Sequence, residues 1–205
     1  MELTRDHAVK VLEVVDQGLV KGMGVAKPGE MCVEAAVCFA LGLPHGDDPS
    51  CVGKAVRAYK IGLNDTCDLK PKERSKLLRK LAVAQLGSNQ IDQTKFANLL
   101  TLRTIQRIVP VALRSAEEIH PDKAHKDKLE EAAKACEITT ELSAAYSAAR
   151  SAESAAYSAA YSAARSAARS AASARFEVFQ LAVDICVEVL KECDSPGCEW
   201  LDLCE

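Results

Sequence analysis

A chain of 205 residues with 48% hydrophobic content is long enough to enclose a core. With only 4% aromatic residues, that core must be assembled from Leu, Val, Ile and Ala, which suits packed helices better than a sheet. A formal net charge of −3 supplies no global attraction to nucleic acid or an anionic membrane, so neither is an expected partner.

The N-terminus carries Glu2, Arg5 and Asp6, then Lys10, Glu13 and Asp16, which excludes the apolar stretch of a signal peptide. A first helix is predicted from Thr4 as N-cap, with Ala8, Val11, Leu12, Val15, Leu19 and Val20 on its apolar side and a stop at Gly22 or Gly24. After the turn Lys27-Pro28-Gly29-Glu30, Met31 to Leu41 is apolar except for Glu34 and reads as a central core helix. The prolines and glycine of Leu43-Pro44-His45-Gly46-Asp47-Asp48-Pro49-Ser50 predict a loop. A third helix is expected from Cys51 to Gly62, and a fourth from Pro71, at its first position, to Leu86, with Gly87 as the stop. Asp92 can cap a fifth helix carrying Phe96, Leu99, Leu100, Ile105 and Ile108, and Pro110 predicts a kink or a new helix. His120-Pro121-Asp122 then closes an N-terminal bundle over 1–120, and Lys128 begins a long C-terminal helical region within 121–192.

From Ser143 to Arg175 the sequence falls into blocks of eleven, SAAYSAARSAE, SAAYSAAYSAA and RSAARSAASAR. Eleven residues make three turns at about 3.67 residues per turn, so equivalent side chains stay on one face of a nearly straight helix. Tyr146, Arg150, Glu153, Tyr157 and Tyr161 then share one ridge, with alanines opposite. A flat alanine face formed by Ala144, Ala145, Ala148, Ala149, Ala152, Ala155, Ala156, Ala159 and Ala163 lets a second helix approach closely, and is the candidate interface. A solvated low-complexity helix is the plain alternative. As one helix, Lys128 to Glu192 would run on the order of 90 to 100 Å at about 1.5 Å per residue, so it either folds back or pairs with a second copy. Phe176, Phe179, Val183, Cys186 and Leu190 mark a buried end, and Trp200, Leu201 and Leu203 in 193–205 form an apolar anchor after Asp194-Ser195-Pro196-Gly197.

The cysteine count of nine is odd, and several cysteines lie inside apolar helical patterns, so they read as thiols. The pairs Cys32/Cys38, Cys193/Cys198 and Cys198/Cys204 lack the two-residue gap of zinc and redox motifs, so no metal site is expected. No Gly-rich phosphate loop, dinucleotide fingerprint or His-Glu metal motif occurs, and no cofactor is expected.

Three constellations could carry chemistry. Cys32 stands at the start of an apolar helix, where amide dipoles can activate a thiol, and His45 and Asp47 in the next loop could act as base and orienting carboxylate of a cysteine hydrolase or transferase. Packing among Val33, Ala36, Val37 and Leu41 explains Cys32 and Cys38 equally well. His45-Gly46-Asp47-Asp48 offers hard oxygen donors to a cation but too few of them, and a turn role accounts for both acids. Lys72, Lys76, Arg79 and Lys80, extended by Arg103 and Arg107, could hold an anionic small ligand such as a nucleotide, against the alternative of a solvated charged face.

The segments Gly29-Glu30-Met31-Cys32-Val33-Glu34-Ala35-Ala36, Leu41-Gly42-Leu43-Pro44-His45-Gly46-Asp47-Asp48 and Ser195-Pro196-Gly197-Cys198 resemble those of uncharacterised bacterial and phage proteins that also carry SAAR/SAAY-type runs. The resemblance covers most of the chain. It implies a bacterial or phage cytoplasmic protein and carries over no activity and no functional residue.

The sequence thus predicts an all-α protein, a helical bundle followed by a long Ala/Ser-rich helix. The expected role is non-enzymatic binding or scaffolding, with the repeat mediating homo-oligomerisation, a dimer by preference, or docking a protein partner.

Overall fold

A computed structural model describes residues 2–66, 68–144, 147 and 167–205. The fold is all-α: among the described residues the only sheet-like feature is an isolated antiparallel bridge between Gly24 and Met31. No helix among the described residues is long and apolar enough to cross a membrane. Contacts divide the chain into two compact units, one made of Met1–Ala97 and Cys186–Glu205, the other of Asn98–Ile185.

The first unit begins with α1 (Arg5–Val15), capped by Thr4, whose backbone N–H donates to His7 Nδ1 at 3.1 Å. Ala8, Val11, Leu12 and Val15 are its buried stripe. The helix stops at Val15 rather than near Gly22, because the chain beyond it bonds elsewhere: Leu19 N–H donates to Pro71 O at 3.0 Å and Val20 N–H to Met31 O at 2.9 Å. Gly18, at φ 119°, makes the exit, and a Cβ there would press on Pro71.

Helix α2 (Val33–Ala40) buries every residue from Val33 to Cys38. Helix α3 (Lys54–Thr66) starts later than expected: Gly53 N–H is taken by Ser88 Oγ at 2.9 Å, and Ala55 N–H by Gln93 Oε1 at 3.2 Å. It also runs through Gly62, where no neighbour demands a turn. Helix α4 (Pro71–Ala84) has Pro71 in its first turn, and Glu73 accepts from Lys70 N–H at 3.1 Å. Gly87 follows at φ 80° and leads into a short 3₁₀ turn, Ser88–Gln90. At the other end of the chain, Pro196–Cys204 forms a 3₁₀ segment on α4. Ser195 Oγ donates to Ala84 O at 2.8 Å and Gly197 N–H to Leu86 O at 2.7 Å, while Arg5 pairs with Asp202.

Helix α5 (Gln93–Ile119) contributes residues to both units. Asp92 Oδ1 caps it, accepting from Thr94 and Lys95 N–H at 2.8 and 3.0 Å. No new helix starts at Pro110; α5 continues through it. A proline inside a helix costs about 3 kcal/mol, and here the packing of the same stretch offsets it. Ile105 and Leu113, on either side of Pro110, join Leu129, Ala132, Ala133 and Cys136 of α6 (Lys123–Glu137) in the core of the second unit. Arg114 holds that pair of helices at the surface, with Nε 2.9 Å from Glu130 and Nη2 3.0 Å from Glu137.

Asp122 caps α6 through His125 N–H at 3.0 Å, which starts the helix ahead of Lys128. The helix ends at Glu137. Ile138 is its C-cap, and the carbonyl of non-helical Thr139 accepts from Gln106 Nε2 at 2.6 Å. A single uninterrupted helix from Lys128 to Glu192 therefore does not form. Helix α7 (Ala167–Glu192) ends the sequence of α-helices and buries Ala182, Val183, Ile185, Cys186, Val187, Val189 and Leu190.

Candidate functional site

The most unusual chemistry lies in the first unit, where α2 and α3 place two ionisable side chains wholly inside. Glu34, the one acid in the apolar run from Met31 to Leu41, occupies the first turn of α2, where the helix dipole favours negative charge. Lys60 lies midway along α3, and both residues are 0% exposed. Lys60 Nζ stands 3.0 Å from Glu34 Oε2. This is a buried ion pair, and the other carboxylate oxygen, Glu34 Oε1, has no hydrogen-bond partner among the described residues. Burial pushes the Glu34 carboxyl up, outweighing the pull of Lys60 and Arg57, and the same burial pushes the Lys60 ammonium down against the pull of Glu34.

Glu34 forms part of the wall of a recess of about 60 Å³, room for a few waters, that Cys32, Asn64, Asp65, Asp47 and Met23 also line. Asn64 is 1% exposed. Its Nδ2 donates to Val20 O at 2.9 Å and to Asp65 Oδ1 at 2.7 Å, which leaves Oδ1 without a partner among the described residues. Asp65 Oδ1 also accepts from Gly22 N–H at 2.9 Å. Asp47 accepts from Arg57 Nη2 at 2.6 Å.

Of the residues singled out from the sequence, Cys32 and Asp47 come to this recess. Cys32 is the N-cap of α2, and its Sγ accepts from Ala35 N–H at 3.4 Å. Burial is the largest influence on the thiol and raises its pKa; the amide hydrogen bond opposes this without overcoming it. His45 is engaged elsewhere, with Nε2 3.2 Å from Gly24 O, and shares no hydrogen bond with Cys32 or Asp47. The orienting carboxylate envisaged for His45 is instead held by Arg57.

The basic residues serve several masters. Lys72 Nζ donates to Asp16 O at 2.8 Å, and Arg79 binds Asp16 Oδ1 at 2.9 Å and Leu203 O at 3.2 Å. Lys76 and Lys80 are exposed on α4, whereas Arg103 and Arg107 are half-buried on α5 within the other unit. Ala144 is exposed; Ala145, Ala148, Ala149, Ala152, Ala155, Ala156, Ala159 and Ala163 lie outside the described residues. Among the described residues no group of three or more His, Cys, Asp or Glu side chains is placed to hold a metal ion.

Sequence reasoning missed the Glu34–Lys60 pair. A lone acid in an apolar run was the visible signal, since a buried charge requires a partner. Lys60 carried no complementary signal, because it sits on a helix with charged and polar residues on several sides.

No family model, curated protein or solved structure matches the chain.

Proposed function

We propose that this is a non-enzymatic binding or scaffolding protein, cytoplasmic and of bacterial or phage origin, that self-associates as a dimer or docks a protein partner through the Ala/Ser-rich stretch 143–175. The observation that carries this reading is that the stretch is held at both ends by folded structure. Upstream, α6 is packed on α5 and tied to it by Arg114 and by the Gln106–Thr139 bond. Downstream, α7 ends in a run of buried residues from Ala182 to Leu190. Large apolar side chains flank the stretch and face solvent: Ile138 is 79% exposed and Phe176 44% exposed. They offer part of the apolar area an association surface needs, to which the alanines of the repeat are proposed to add.

The thiol hydrolase and anionic-ligand readings have less support. Burial raises the Cys32 thiol, and Asp16 engages Lys72 and Arg79. Sedimentation equilibrium over a micromolar concentration range tests the assembly: a monomer–dimer equilibrium is expected, and a monomer at every concentration contradicts self-association.

A further inference from the structure

We infer that the recess between α2 and α3 is a binding site for a small primary ammonium group, the amine head of a short alkylamine.

When Lys60 holds the proton it shares with Glu34, the polar groups that line the recess accept hydrogen bonds and have little to donate. Both amide hydrogens of Asn64 are used, on Val20 O and Asp65 Oδ1, so the side chain offers only its carbonyl oxygen. Glu34 Oε1 is buried and unpartnered, as is that Asn64 oxygen, and both residues line the recess. A buried acceptor without a partner costs about 1 to 3 kcal/mol, and two of them at one small recess call for a shared donor. Water donates two hydrogen bonds; a primary ammonium donates three from a single atom.

The charge balance points the same way. Glu34 and Lys60 cancel whichever of them holds the proton, and Arg57 is shared between Asp47, which lines the recess, and Asp48. Among the described residues the Asp65 carboxylate receives neutral donors alone, Gly22 N–H and the Asn64 amide, so no cation balances its charge at the recess. The space, about 60 Å³, admits an ammonium with a short alkyl stem, and Met23, Val33 and Ile61 provide an apolar surface for that stem. The carboxylates are not grouped for a metal ion, which separates an organic ammonium from a divalent cation.

Calorimetric titration of the full chain with methylammonium chloride at constant ionic strength tests this, with tetramethylammonium chloride and potassium chloride as controls. Saturable binding of methylammonium alone is expected, weakened about tenfold or more by Asp65→Asn, which removes the uncancelled charge at an exposed position. Met23→Trp, at a residue 45% exposed, narrows the recess and should weaken binding similarly. Circular dichroism confirms that each variant is folded. Absence of saturable methylammonium binding overturns the inference. So does equal binding of tetramethylammonium, which has no N–H to donate, equal binding of potassium, or affinity unchanged in both folded variants.

Discussion

Burial pushes the Glu34 carboxyl up and the Lys60 ammonium down, and the two groups ionise jointly. Burial favours the neutral form of each, but the ion pair and the neutral pair hold the same number of protons. Between about pH 5 and 10 the unfolded chain also carries one proton across these two groups, so the pair adds no pH dependence to stability in that range. Removing the acid exposes the other half of the balance. In Glu34→Gln, Lys60 remains buried with its pKa depressed, so the unfolded state binds more protons below the ordinary lysine pKa, and stability rises as pH climbs toward it. The variant should lose about 3 to 5 kcal/mol at neutral pH and recover at up to about 1.4 kcal/mol per pH unit toward pH 10. Urea unfolding at several pH values measures this; a variant whose loss is the same at every pH would show that Lys60 is not desolvated. The cysteines make a second test at this scale. Burial raises the Cys32 thiol and pushes Cys38 and Cys198 up to about 11. Iodoacetamide at neutral pH should therefore label Cys32 in the folded protein more slowly than a free thiol, by about tenfold or more. Faster labelling of Cys32 would restore the case for catalysis.

Helix starts were legible in the sequence where a local side chain makes them. Thr4, Pro71 and Asp92 cap or open α1, α4 and α5 as their chemistry requires. Helix ends and interruptions were less legible, because distant residues decide them. Leu19 bonds to Pro71, Ser88 and Gln93 set the start of α3, and the α6 core carries α5 through Pro110. The same dependence on distant partners hid the candidate site: Glu34 could be noticed, whereas its pairing with Lys60 and the shared recess with Asn64 and Asp65 required the packing of α2 on α3. The C-terminal segment shows how tight such long-range contacts are. Gly197 sits so close to α4 that a Cβ would overlap the Val83 carbonyl oxygen, and its N–H bonds to Leu86 O. Gly197→Ala should cost about 1 to 3 kcal/mol, read as a fall in the urea midpoint. An unchanged midpoint would mean that the segment does not dock on α4.

At the scale of the whole molecule, the two units draw on different parts of the chain: the N-terminal helices share theirs with the last twenty residues, while most of α5, α6 and part of α7 belong to the other. The repeat starts after α6 and runs into the first residues of α7, so association through it would act on a chain with folded structure at both flanks. The direct test is light scattering coupled to size-exclusion chromatography on the intact protein and on a variant in which 143–175 is replaced by a Gly/Ser stretch of the same length, which keeps both flanks joined. The account predicts a dimer that becomes a folded monomer on replacement. A dimer that persists without the repeat, or an intact chain that is already monomeric and loses no partner on replacement, would contradict it.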